Sequence, residues 1–242
     1  MSKESSISRK STLHKMAAQM KGKNWAYTVG FWSALINTLG GIIYFLVVLG
    51  MVLTGRFTFP PSGDIQLFGG IISLLFCPSI VILMASLHSI TVPEKKVFSQ
   101  SSLTFTLLFA ISVSINRFTH LGVVRQSIAA GTVEGLNWFL PNGDRSVMLG
   151  LEMMGWGWFL GLALLVAAPI FSEGRLQGWI KWLMVLYGVL GIISSTGFLM
   201  ASPISAIGFI AWGLILFIIT GLLMAYFRRV DNMIPPVLPR RR

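Results

Sequence analysis

Six runs of apolar residues, each long enough to cross a bilayer, set what this chain folds into. They cover Thr28–Thr54, Gln66–Ile90, Val97 to about Val124, Ser146–Phe171, Leu176–Met200 and Pro203–Phe227. A helix needs about 20 such residues to span the hydrocarbon layer. Lipid offers no water to pair with backbone N–H and C=O groups, so these segments have to be helices that bond their own backbone. The sequence therefore predicts an all-α, polytopic membrane protein with six transmembrane helices. The composition leads to the same place. It is 54% hydrophobic and 11% charged, where a soluble domain carries about 25% charged residues. The 242 residues leave room for one membrane domain over 25–229 and two basic tails, 1–24 and 230–242.

Charge sets the orientation. Fifteen of the nineteen Lys and Arg fall in the two tails, at Arg228 and Arg229 just before the second tail, at Lys95 and Lys96, and at Arg175 and Lys181. Arg56 and Arg145 face the other way, and Arg125 sits at that boundary. Positive residues stay on the cytoplasmic side of short loops. This predicts both termini inside and a cytoplasmic (cell) membrane location. The basic tails then lie beside anionic lipid headgroups. Leu13, Met16, Ala17 and Met20 share one helical face with lysines off it, which suits a short amphipathic helix on the inner leaflet or a plain basic tail. The net charge of +11 is not a nucleic-acid signal, because no basic patch interleaved with aromatics sits on a soluble domain. The start of the chain lacks a short apolar core with a small-residue cleavage site, and reads as a retained tail.

Within the runs, the informative residues are the ionisable ones. A charge at mid-span costs about 2.5–3.5 kcal/mol on insertion scales, so it faces protein or water and takes a partner. Arg117, His120 and Glu152 stand out. Arg117 lies seven residues before Val124, and Glu152 lies six residues after Ser146. At about 1.5 Å per residue both are roughly 10 Å deep from the same face of the membrane. They sit on helices joined by one loop, so a buried Arg117–Glu152 pair is the simplest arrangement. Asn116 and His120 are four residues apart and share a face beside Arg117. The binding-site expectation is therefore Asn116, Arg117, His120 and Glu152, with Arg125 as an alternative partner. Such a cluster suits a small polar or anionic ligand, and histidine titrates near neutral pH. It equally suits a structural pair pinning two helices together.

Other chemistry is set aside. Cys77 is the single cysteine, so no internal disulfide or Cys-based zinc site forms. His88 and His120 lie at opposite depths, which predicts no haem or metal site and no cofactor. No nucleophile elbow, zinc-protease helix or phosphate loop is present, so no catalytic residue is assigned and the balance leans away from an enzyme. Gly157 and Gly161 form a Gly-x-x-x-Gly spacing that serves either internal packing or a homo-oligomer. Pro78 predicts a kink in the second helix, and the 127–145 loop carries Trp138 at headgroup level.

Arg117 to Arg125, Leu151-Glu152-x-x-Gly155 and Ala167-Ala168-Pro169-Ile170-Phe171 together resemble a group of uncharacterised multi-pass membrane proteins from bacteria and archaea. The resemblance implies a compact helical membrane domain and brings no activity with it. Three functions remain in view. One is a small solute, ion or proton-coupled transporter, or ligand-binding membrane protein, using the cluster between helices 3 and 4. The second is a non-catalytic structural or partner-binding membrane subunit. The third is a membrane enzyme acting on lipids.

Overall fold

The computed structural model describes residues 3–56, 63–140 and 146–231, with side chains from Trp25 to Arg229. The described residues hold helices and turns and no strand. Six helices are long and apolar enough to cross a membrane. Their length and apolar composition make the protein a multi-pass membrane protein. We label them α1 (Lys3–Leu53, apolar over Trp25–Leu53), α2 (Gly63–Ile90), α3 (Pro93–Ala129), α4 (Val147–Ile170), α5 (Gly174–Leu199) and α6 (Pro203–Arg229). α3 has the lowest mean hydropathy of the six, 1.5, as its polar residues imply.

Short connections make consecutive helices antiparallel. Each packs on its sequence neighbours, and α1 against α6 closes the ring. One end of the bundle carries Lys95 and both outer helix termini, and the opposite end carries Arg125. The core that fills the ring draws on every helix: Ala34, Leu83, Phe109, Leu160, Met184, Tyr187 and Ile219 are all almost fully buried. α1 is the most peripheral helix. Its half beyond Gly41 is largely exposed, which in a bilayer means facing acyl chains.

The helix ends explain themselves locally. Ser146 caps α4, its hydroxyl accepting from the Met148 and Leu149 N–H groups at 3.1 and 3.3 Å. Pro203 begins α6 in the first turn, where its missing N–H costs nothing. Lys95 Nζ donates to the Ile170 carbonyl at 3.1 Å and to Ser172 Oγ at 2.7 Å, placing a cation at the C-terminal end of α4. α2 runs unbroken through Pro78.

Some boundaries differ from the sequence reading. α1 begins at Lys3, so the basic tail is helical and continuous with the first span. The side chains of the 13–20 patch, and Arg145 and Arg240–Arg242, lie outside the described residues. α3 continues past Val124 to Ala129, so Arg125 rides on the helix instead of ending it. A polar residue does not stop a helix whose end projects into water. Beyond it, Trp138 is 58% exposed in a short helical turn, as headgroup anchoring requires.

α4 and α5 approach unusually closely. A Cβ placed on Gly191 would lie 2.6 Å from the Gly157 carbonyl oxygen, and one on Gly188 would lie 2.8 Å from that of Gly161. The Gly157–Gly161 spacing thus serves internal packing and is not free to join a second copy. Gly155, on another face of α4, makes room for Val113 of α3.

Candidate functional site

α3 and α4 run antiparallel, which sets Asn116 beside Met148, Val113 beside Gly155 and Phe109 beside Trp156. The last pair meets edge to face with ring centroids 4.8 Å apart. Steric fit along this seam brings the polar residues together. Arg117 Nη2 pairs with Glu152 Oε1. Asn116 Nδ2 donates to Glu152 Oε2 at 2.7 Å and to the Met148 carbonyl at 2.9 Å. Each carboxylate oxygen therefore has a donor, which is how a charge survives in a low-dielectric setting.

The cluster is enclosed but not sealed. Asn116 is 2% exposed, while the Arg117 and Glu152 side chains keep 20% and 23% of their surface. Tyr44 of α1 and Cys77 of α2 come within electrostatic reach of both charges. His120, one turn further along α3, is buried and within reach of Arg117 and Arg125. Three polar atoms beside the pair are buried without a bond: Arg117 Nε, His120 Nδ1 and the Trp156 Nε1 that faces Glu152. Arg125 is exposed at the mouth and is not the partner of Glu152.

The helices are irregular where they hold the cluster. A wide (π) turn follows Arg117 over His120–Val124, and another follows Glu152 over Met153–Phe159. Such turns insert a residue and re-aim the side chains around them, and they concentrate at functional sites. In α4 the turn lets Glu152 and Gly155 face α3 while Gly157 and Gly161 face α5. It also loosens the backbone bonding, and α5 compensates. Ser195 Oγ donates to the Met153 carbonyl at 2.8 Å, and the Tyr187 hydroxyl donates to the Trp156 carbonyl at 2.9 Å. In lipid, neighbouring helices are the available source of such donors. A third wide turn lies in α6 over Ala211–Ile215.

All four cluster residues predicted from sequence thus come together, His120 through proximity and the other three through bonds. Tyr44, Trp156 and the wide turns carried no signal that set them apart from ordinary lipid-compatible sequence. His88 is elsewhere: its Nδ1 lies 2.8 Å from Ser99 Oγ, near the Lys95 end. Among the described residues, no three His, Cys, Asp or Glu converge as metal ligands. An open groove of about 350 Å³ runs between α4 and α5, lined by Met153, Met154, Trp158, Phe198 and neighbours. It is apolar and lies on the face of α4 turned away from α3, so neither Glu152 nor His120 lines it.

No family model matches this chain, and no curated protein or solved structure does either.

Proposed function

We propose that this is a solute-binding membrane protein of the carrier type, whose site is the polar cluster of Asn116, Arg117, His120 and Glu152 between α3 and α4. One observation carries the reading. An ion pair is held inside the span, yet the guanidinium Nε and the adjacent His120 Nδ1 are buried without partners. A pair built only to pin two helices has no use for unsatisfied polar atoms, each of which costs about 1–3 kcal/mol. A ligand with an acceptor oxygen for the guanidinium Nε–H and an oxygen or hydroxyl for the imidazole satisfies them. Counting Arg117, Arg125 and Glu152 leaves one surplus positive charge, so the ligand is a small anion.

Charge on the described residues supports the cytoplasmic assignment of the Lys95 end. Arg175, Arg228 and Arg229 are exposed there, beside Trp179 and Trp182, which are 56% and 64% exposed. That mixture suits an anionic headgroup layer. The cluster then opens toward the outside of the cell membrane.

The test is thermal unfolding in detergent with sodium lactate as probe, followed by uptake of labelled lactate into reconstituted vesicles. The reading predicts a raised midpoint and protein-dependent uptake, both lost in Arg117→Gln. A midpoint that lactate leaves unmoved contradicts it. The second reading, a structural membrane subunit, draws on Asn116, which ties α3 to the α4 backbone as well as to Glu152. It predicts a stable protein that no carboxylate stabilises.

A further inference from the structure

The pairing of Arg117 with Glu152 is incomplete in a way that says how the site works. A guanidinium presents two parallel N–H groups on one side, Nε–H and the Nη2–H beside it, spaced to match the two oxygens of a carboxylate. Glu152 uses one of them. Its Oε1 meets Nη2, while Oε2 is held 2.7 Å from Asn116 Nδ2, and Nε is left buried and unbonded. The resident carboxylate is thus prevented by Asn116 from filling the fork that an incoming carboxylate would fill with both oxygens.

Resting on the reading above, we infer that a monocarboxylate displaces Glu152 from Arg117 and that Glu152 takes up one proton as it does so. The ligand oxygens accept from Nε and Nη2 of Arg117. Glu152 then has two neutral donors facing it, Asn116 Nδ2 and the Trp156 indole N–H. The other groups that face it offer no replacement charge. On α3, Arg117 is occupied by the ligand, and Arg125 lies at the mouth beyond His120. On α1 and α2, the neighbours are Tyr44 and Cys77, a phenol and a thiol. α5 packs on the far side of α4, with Tyr187 committed to the Trp156 carbonyl. An ionised carboxylate without its counter-charge in this setting neutralises itself by protonation. The proton comes from the aqueous phase at the mouth. Charge balances: one anion and one proton enter together, and the site keeps its net charge. The wide turns on both helices, one beginning at His120 and the other directly after Glu152, are where the seam yields as the two side chains part.

The experiment is titration calorimetry of the detergent-solubilised full chain with sodium lactate, in two buffers of different ionisation heat. About one proton taken up per lactate is expected, with affinity falling by up to about tenfold per unit rise in pH over the range in which that uptake is measured. Glu152→Gln is expected to bind lactate with no proton uptake and a flat pH profile, and more tightly than the wild type at the alkaline end. Lactate binding to the wild type without proton uptake places the anion beside an intact pair; it overturns this inference and leaves the binding function standing. Absence of lactate binding at any pH overturns both. Proton uptake that persists in Glu152→Gln assigns the proton to another group and also overturns the inference. If that variant does not fold, the two-buffer measurement on the wild type decides alone.

Discussion

Removing one member of the Arg117–Glu152 pair should cost far more than removing both. In Arg117→Met the carboxylate keeps only neutral donors, Asn116 and the Trp156 indole. Staying ionised and unpaired costs about 3–5 kcal/mol in a protein interior. Taking up a proton costs an ordinary glutamate about 3.7 kcal/mol at pH 7. The side chains retain 20% and 23% of their surface, so solvent screening brings the loss to about 2–3 kcal/mol. In Glu152→Gln the guanidinium has no comparable escape, because it does not release its proton, and the loss is similar. Arg117→Met combined with Glu152→Gln buries no charge and should lose about 1 kcal/mol, giving a coupling of about 3–5 kcal/mol. The assay is equilibrium unfolding in mixed micelles for all four proteins. Its pH dependence has a definite sign. The Arg117→Met penalty shrinks as pH falls, by up to about 1.4 kcal/mol per unit, because a protonated Glu152 needs no counter-charge. The Glu152→Gln penalty has no such source of pH dependence. A coupling below about 0.5 kcal/mol, within the scatter of independent sites, would show that the two charges do not support each other.

Gly191→Ala should cost about 1–3 kcal/mol, since its Cβ would lie 2.6 Å from a backbone oxygen that no rotamer change relieves. Gly178→Ala, on the same helix with nothing within 4 Å of its Cβ, should be neutral or stabilising by up to about 1 kcal/mol; equal effects in the same unfolding assay contradict the close α4–α5 contact. Ser195→Ala should lose about 0.6–1.5 kcal/mol by removing the interhelical bond to the Met153 carbonyl in the wide turn, and unchanged stability argues against that role. Cys77, 1% exposed, should resist maleimide in native micelles and react after unfolding; rapid native labelling would place it on a surface.

Membrane solvent decides how much of this was legible beforehand. The six apolar runs map onto the six spans because hydrocarbon thickness imposes a length that composition alone satisfies. The Arg117–Glu152 pairing was also readable, since depth along two antiparallel helices is arithmetic and an unpaired charge in lipid is expensive. Asn116 was expected only to share a face, yet it holds the carboxylate and the α4 backbone at once. What stayed hidden is which side of each helix turns inward. In a soluble protein hydrophobicity marks that side, but here lipid-facing and core-facing residues are equally apolar. Trp156 is buried and Trp158 is exposed, two residues apart in the same helix. The wide turns that separate such positions leave no compositional trace. The end of α3 was misplaced at Val124 for a related reason: Arg125 marks where the chain leaves hydrocarbon, and the helix continues into water.

The most direct measurement is the distance between the two ionised groups in a bilayer. Solid-state dipolar-recoupling NMR on protein with isotope-labelled Arg side-chain nitrogens and Glu carboxyl carbons reads it without a ligand. A carboxyl signal strongly dephased by a guanidinium nitrogen is expected, with loss of that dephasing in Arg117→Met. Identical dephasing in the two proteins, or none in either, would mean that α3 and α4 do not meet through these residues.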